Sequence, residues 1–195
     1  MQADFAVEVG ADTQSLELPW ASADGGVRYL DLRARPELLL ELKEAAENHD
    51  LAEFLITVNA SPSIFQSAKC DLWTSDKMDE EDAVFGAQWK YGSYVDLLLA
   101  SGEQRLSFDW HERFVRELCG LLRKAPEFAA AVEFVVRRCH FHVESDEDSQ
   151  PGFCVTFYLY GYGDDESEAR SRWNVGIKVV QNALVQWSAQ HQRHT

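Results

Sequence analysis

Two segments decide the fold: Val135-Val136-Arg137-Arg138-Cys139-His140-Phe141-His142-Val143-Glu144 and Phe153-Cys154-Val155-Thr156-Phe157-Tyr158-Leu159-Tyr160-Gly161-Tyr162. Both alternate apolar and polar residues, the period-two pattern of strands with one buried and one wet face. The polar run Ser145–Gly152 between them reads as a turn, which makes the pair a hairpin. If Phe141 lies opposite Val155, then Cys139 faces Phe157 and Val143 faces Phe153, giving one wholly apolar side for helices to cover. Burial should select that register, because a slip of one residue would mix apolar and charged neighbours on both sides. The other side then carries Arg138, His140, His142 and Glu144, with Cys154, Thr156, Tyr158, Tyr160 and Tyr162 from the partner strand. Arg137 is the misfit on the apolar side, with the sheet edge or Glu133 as its outlet.

Downstream, Asp165 and Glu168 form a capping box, and Trp173, Ile177, Val180, Leu184 and Trp187 recur at helical spacing. One long amphipathic helix of ~35 Å follows. Upstream, Asp109 and Glu112 read as the capping box of a helix carrying Phe114, Leu118 and Leu121/Leu122, and Pro126 opens a short helix to about Phe134. Trp89–Ala100 reads as a strand with a bulge at Gly92, pointing Val95, Leu97 and Leu99 one way and Tyr94 and Asp96 the other. Phe5–Val9, Leu16–Trp20 and Val27–Leu32 read as strands, and Pro36 starts a helix through Glu47. Phe54–Val58 and Ile64–Trp73 read as a second strand pair, although a helix also fits Leu51–Ile56. Hairpins dominate without βαβ alternation. The expectation is an α+β fold over residues 1–195 as one domain: an antiparallel sheet of about six to seven strands, helices packed on one face.

The chain has 195 residues, 46% of them hydrophobic and 26% charged, which excludes disorder and fibrous classes. Its 18 basic against 33 acidic residues give a net charge of -15. Such a field repels phosphate backbones and anionic lipid, so neither nucleic acid nor membrane is an expected partner. Met1–Phe5 has no basic and apolar leader pattern, and Cys70, Cys119, Cys139 and Cys154 are too far apart for finger or CxxC spacing. A reducing, cytoplasmic setting is expected, with free cysteines serving as small hydrophobes.

The chemical motifs are thin. His140-x-His142 puts two imidazoles on one side of a strand, roughly 7 Å apart, with Glu144 as a third ligand in line; the alternative reading is a metal-dependent or small-molecule-binding enzyme centred on this pair. His111-Glu112 begins a zincin-like pattern, but Val115 stands where the second histidine belongs. Asp79–Asp82, Asp146–Asp148 and Asp164–Glu168 lack the ligand order of a calcium loop, and Gly161-Tyr162-Gly163 is followed by carboxylates that would expel a phosphate. No cofactor is expected. The reading that remains is a non-catalytic binding or regulatory protein, self-associating through the face of Tyr94, Asp96, Arg138, His140, His142, Glu144, Thr156, Tyr158 and Tyr160, since tyrosine and arginine are enriched at contact surfaces. An acidic, immunity-type inhibitor of a basic partner is a further alternative, motivated by charge and size.

Overall fold

A computed structural model describes residues 1–80, 82–100, 102–142 and 149–191. The strands are β1 (Gln2–Glu8), β2 (Leu16–Leu18), β3 (Phe65–Ser75), β4 (Trp89–Leu99), β5 (Ala130–Phe141) and β6 (Gln150–Gly163). The helices are α1 (Lys43–Glu47), α2 (His49–Asn59), α3 (Phe108–Leu122) and α4 (Glu166–His191), with short 3₁₀ segments at Pro36–Glu41, Asp82–Phe85 and Glu103–Leu106. The fold is α+β, with one six-stranded sheet ordered β1-β5-β6-β4-β3 and β2 also paired to β5.

The sheet is mixed rather than antiparallel. β1 and β2 both run parallel to β5, lying end to end along its outer edge, so the first strands do not form a hairpin. The remaining pairings are antiparallel. One side of the sheet is buried under the helices by Val95, Leu97, Phe134, Val136, Val155, Phe157 and Leu159, which meet Phe54, Phe114, Leu118, Trp173 and Ile177. α4 lies so close to β6 that a methyl on Gly161 would overlap the backbone of Ala169 and Trp173. At its start Glu168 N–H donates to Asp165 (2.8 Å) as expected of a capping box, but the Glu168 carboxylate reaches back one residue further, accepting from Asp164 N–H (2.8 Å).

Several local expectations are corrected. Residues 51–58 are helical, because Asn48 caps α2 by accepting from the N–H groups of Asp50 and Leu51. Ser107, not Asp109, caps α3, accepting from Trp110 N–H at 3.2 Å. Val27–Leu32 forms no strand; Arg28 makes only an isolated bridge to Ala21. The segment from Pro36 to Glu47 is a 3₁₀ segment followed by α1, since Leu42 between them is extended. The register shift in the β3–β4 pair falls between Ser67 and Lys69. Gly92 serves instead to admit the Trp73 indole, which lies over it and would overlap any side chain there.

The largest correction concerns β5. Its strand begins at Ala130, where a helix was expected, and Phe141 pairs with Gln150 while Val136 pairs with Val155. That is a displacement of five residues from the expected pairing, an odd number, so the faces exchange. Val132, Phe134 and Val136 face the helices, whereas Arg137, Cys139 and Phe141 take the other side. The burial argument failed because this strand is covered on both sides. Segment 16–30 folds over one end of the far face, where Leu18, Trp20 and Tyr29 close a second small cluster on Ala68, Leu98, Cys139 and Cys154. Trp20 anchors the segment by donating from Nε1 to the Ala68 carbonyl at 2.9 Å.

Candidate protein-binding face

Between that cover and the 3₁₀ segment Asp82–Phe85 at the other end, no helix of the described residues lies over the far side of the sheet, and its residues follow from strand alternation. Register places Glu133, Tyr158, Tyr94 and Asp71 in one row across four strands, and Ala131, Tyr160, Gly92 and Trp73 in the row beside it. Trp73, Tyr94, Tyr158 and Tyr160 are all half-buried. They form a continuous aromatic band: Trp73 to Tyr94 6.4 Å, Trp73 to Tyr160 6.1 Å and Tyr94 to Tyr158 6.1 Å between ring centroids.

Each tyrosine of the band has a cation on its ring. Lys69 Nζ lies 5.9 Å from the centroid of Tyr94, Lys90 Nζ 5.5 Å from Tyr160, and the Arg137 guanidinium 5.6 Å from Tyr158. These contacts hold the rings in place through attraction between cation and ring quadrupole. Arg137 is further fixed by Glu8 of β1 at 2.9 Å. At the lower end, Asp82 accepts from Lys90 and from the Tyr162 hydroxyl (2.8 Å), and Phe85 stacks on Tyr162 at 4.2 Å. Burial opposes the charge on Asp82, but those hydrogen bonds outweigh it and hold its carboxyl below the usual range. The Asp82 end of the acidic run is therefore part of a built network rather than a solvated loop.

Asp96 and Thr156 sit beneath the band, both buried, and Thr156 Oγ1 donates to Asp96. Desolvation pushes the Asp96 carboxyl above its ordinary range, only partly opposed by that bond and by Arg137 and Lys69. Desolvation likewise pushes the Tyr160 hydroxyl up to about 12.

Five of the expected face residues thus come together: Tyr94, Asp96, Thr156, Tyr158 and Tyr160. The other described ones do not. Arg138 pairs with Phe153 on the opposite parity of β5, and Arg137 occupies the place expected of it. His140 and His142 share the parity of Arg138 and converge on Glu17 of β2, at 3.2 Å and 2.6 Å. The hydrogen bond with His142 holds the Glu17 carboxyl below its ordinary range, so this trio fastens β2 to β5 rather than joining the tyrosines. Glu144 lies outside the described residues, as does the run Asp146–Asp148. Among the described residues, no group of three His, Cys, Asp or Glu side chains is arranged to hold a metal ion.

Trp73, Lys69 and Lys90 escaped the sequence reading, while Arg137 was expected on the covered side and lies instead on the open one, paired with Glu8. Trp73 and Asp71 alternate along β3 as Tyr94 and Asp96 do along β4, but only the strand order shows that the two sets are neighbours.

The outer rim of the band is acidic, while Lys69, Lys90 and Arg137 lie on the rings within it. Exposed carboxylates Asp4 and Glu133 flank it on the β1–β5 side, and Asp71 and Asp79 on the β3 side. Asp4, Asp79, Asp82, Glu133 and Tyr160 also border a recess of about 360 Å³ beside Lys90. No helix among the described residues is long and apolar enough to cross a membrane. Comparison with known protein families, characterised proteins and solved structures finds no match to this chain.

Proposed function

We propose that this protein is a non-catalytic binding module whose open sheet face docks a protein with a basic surface. The observation that carries the reading is the half-buried band of Trp73, Tyr94, Tyr158 and Tyr160, left without a covering helix among the described residues on a sheet whose other side is packed under α2, α3 and α4. Rigid aromatics with polar tips, together with arginine, are the residue types that dominate contact energetics. The rim decides between partners. A second copy stacked on the face would bring two acidic rims, each with Asp4, Glu133, Asp71 and Asp79, near one another, whereas a basic partner brings charge of the opposite sign to that rim. The net charge of -15 adds steering of the same sign at long range.

The test uses Tyr158→Glu beside the native chain, after circular dichroism has shown both folded. A basic partner recovered with the native protein, lost with the variant, and binding more slowly as salt is raised supports the reading. A partner that Tyr158→Glu retains overturns the face as the contact. A native dimer in sedimentation that the variant dissolves would hand the same face to a second copy.

A further inference from the structure

On the helix side of the molecule, α4 departs from the pattern of a surface helix. Its inner stripe is Trp173, Ile177, Val180, Leu184 and Trp187, all buried. The outer side of such a helix is ordinarily charged. Here Val179–Gln190 runs without one Asp, Glu, Lys, Arg or His, in a chain of which 26% is charged. The outward positions of that stretch are Val185, 51% exposed, Ala189 and the carboxamides of Asn182, Gln186 and Gln190, with Gln181 half-buried beside them. The uncharged surface continues across to α2. Between the two helices and the loop of residues 60–63 lies a hollow of about 440 Å³, and none of its lining residues is charged. Val58, Phe65 and Leu184, each at most 3% exposed, form its floor; Ile56 of α2 (57% exposed) and Val185 of α4 form its rims. A second hollow of about 390 Å³ shares Ile56, Ala60 and Ser61 with the first, so Ile56 stands as a ridge between two recesses. Arg33, the one charged residue lining the second, is committed to the carbonyls of Ser63 (2.8 Å) and Phe65 (3.1 Å).

Charge and self-complementarity choose the occupant. A basic protein finds no counter-charge on this patch and is steered instead to the acidic rim of the sheet. Another copy of the chain, itself carrying -15, is repelled by that rim and least opposed where carboxylates are missing. The polar groups of the patch are also their own complement. A carboxamide is donor and acceptor at once, so Gln181, Asn182 and Gln186 can pair with the same residues of another copy, as a carboxylate or an ammonium cannot. None of these three side chains bonds another group among the described residues. The shape likewise supplies both halves of a contact, ridge and recess on one patch, which a twofold isologous interface requires.

We infer that the protein forms a twofold dimer through this patch, Ile56 and Val185 of each copy entering the hollow of the other. The patch lies on the opposite side of the sheet from the aromatic band, so the dimer leaves both open faces outward, whatever those faces bind. Sedimentation of the native chain from about 1 μM to about 1 mM should show the mass rise from one chain to two. Raising salt screens the repulsion between two chains of charge -15 and should tighten the dimer, the reverse of its effect on a basic partner. Val185→Glu and Val185→Lys should each weaken the dimer by about tenfold or more, since the contact would desolvate either charge. Val175→Glu adds the same charge at an exposed site of α4 outside the patch, and should leave the dimer unchanged. Because both valines are exposed, these variants should keep the native circular dichroism spectrum. A chain that stays monomeric throughout overturns the inference; if it then binds Nile red and Val185→Glu releases the dye, the hollow belongs to a small apolar molecule. A dimer that survives Val185→Lys, or one that Tyr158→Glu dissolves, has its contact elsewhere and equally overturns the inference.

Discussion

The two sides of the β6–β4 pair use the same strands and the same alternation, yet they are finished differently. On the helix side, Val155, Phe157 and Leu159 are sealed under α4 and α2 with their ring and methyl surfaces fully used. On the other side, Thr156 is buried but Tyr158 and Tyr160 stay half-exposed, and their rings are braced by cations instead of by a second layer. The lesson is that aromatic content alone does not mark a core. What separates the faces is whether a covering element exists, and the chain spends its short N-terminal cover, residues 16–30, at one end only.

Substitutions can break or sharpen this contrast. Phe157→Ala on the covered side removes a buried ring that contacts Phe54 at 5.4 Å and Phe134 at 5.9 Å. Chemical denaturation should show a loss of about 3–5 kcal/mol; a loss near that of an exposed site would mean the helix layer is not packed as described.

Asp96→Asn probes the boundary between the faces. Its raised carboxyl pKa means the folded state holds a proton more tightly than the unfolded chain. The stability this proton confers is full below the unfolded value near 3.8 and declines as pH rises through the raised folded value. The variant lacks that decline, so it should gain on the native protein as pH rises through this window, by up to ~1.4 kcal/mol per pH unit. Parallel stability profiles with pH would show that burial does not act on Asp96.

The smallest effect belongs to the open side. Tyr158→Ala should change unfolding free energy by under about 1 kcal/mol, the worth of cross-strand ring contacts and not of a core side chain. A loss comparable to that of Phe157→Ala would show that the band is structural and would remove the motive for a docking face.

Much of this architecture was legible in the residues. The alternation of β4 and β6 and the spacing of Trp173, Ile177, Val180, Leu184 and Trp187 are local patterns, and local patterns survive folding. The position of β5 was not legible in the same way. Ala129-Ala130-Ala131 after Pro126 has helical propensity, and only pairing with β6 on one side and with β1, more than a hundred residues earlier, on the other makes it a strand. Once its start moved, its register and Arg137 moved with it. The candidate face was readable on Tyr94, Tyr158 and Tyr160, which lie on strands whose parity was right. Trp73 and Lys69 needed strand order, a long-range property that no single segment carries.

The parallel placement of β1 and β2 along β5 has a temporal consequence. Residues 2–8 have no strand partner until residues 131–137 have been synthesised, so the outer edge of the sheet closes late. Until then the opening segment waits as free chain, and β5, once made, offers unpaired amide groups to any neighbour. Slow synthesis downstream of residue 8 would lengthen that interval, and nascent chains of this protein should call on chaperones most in the span between those two points.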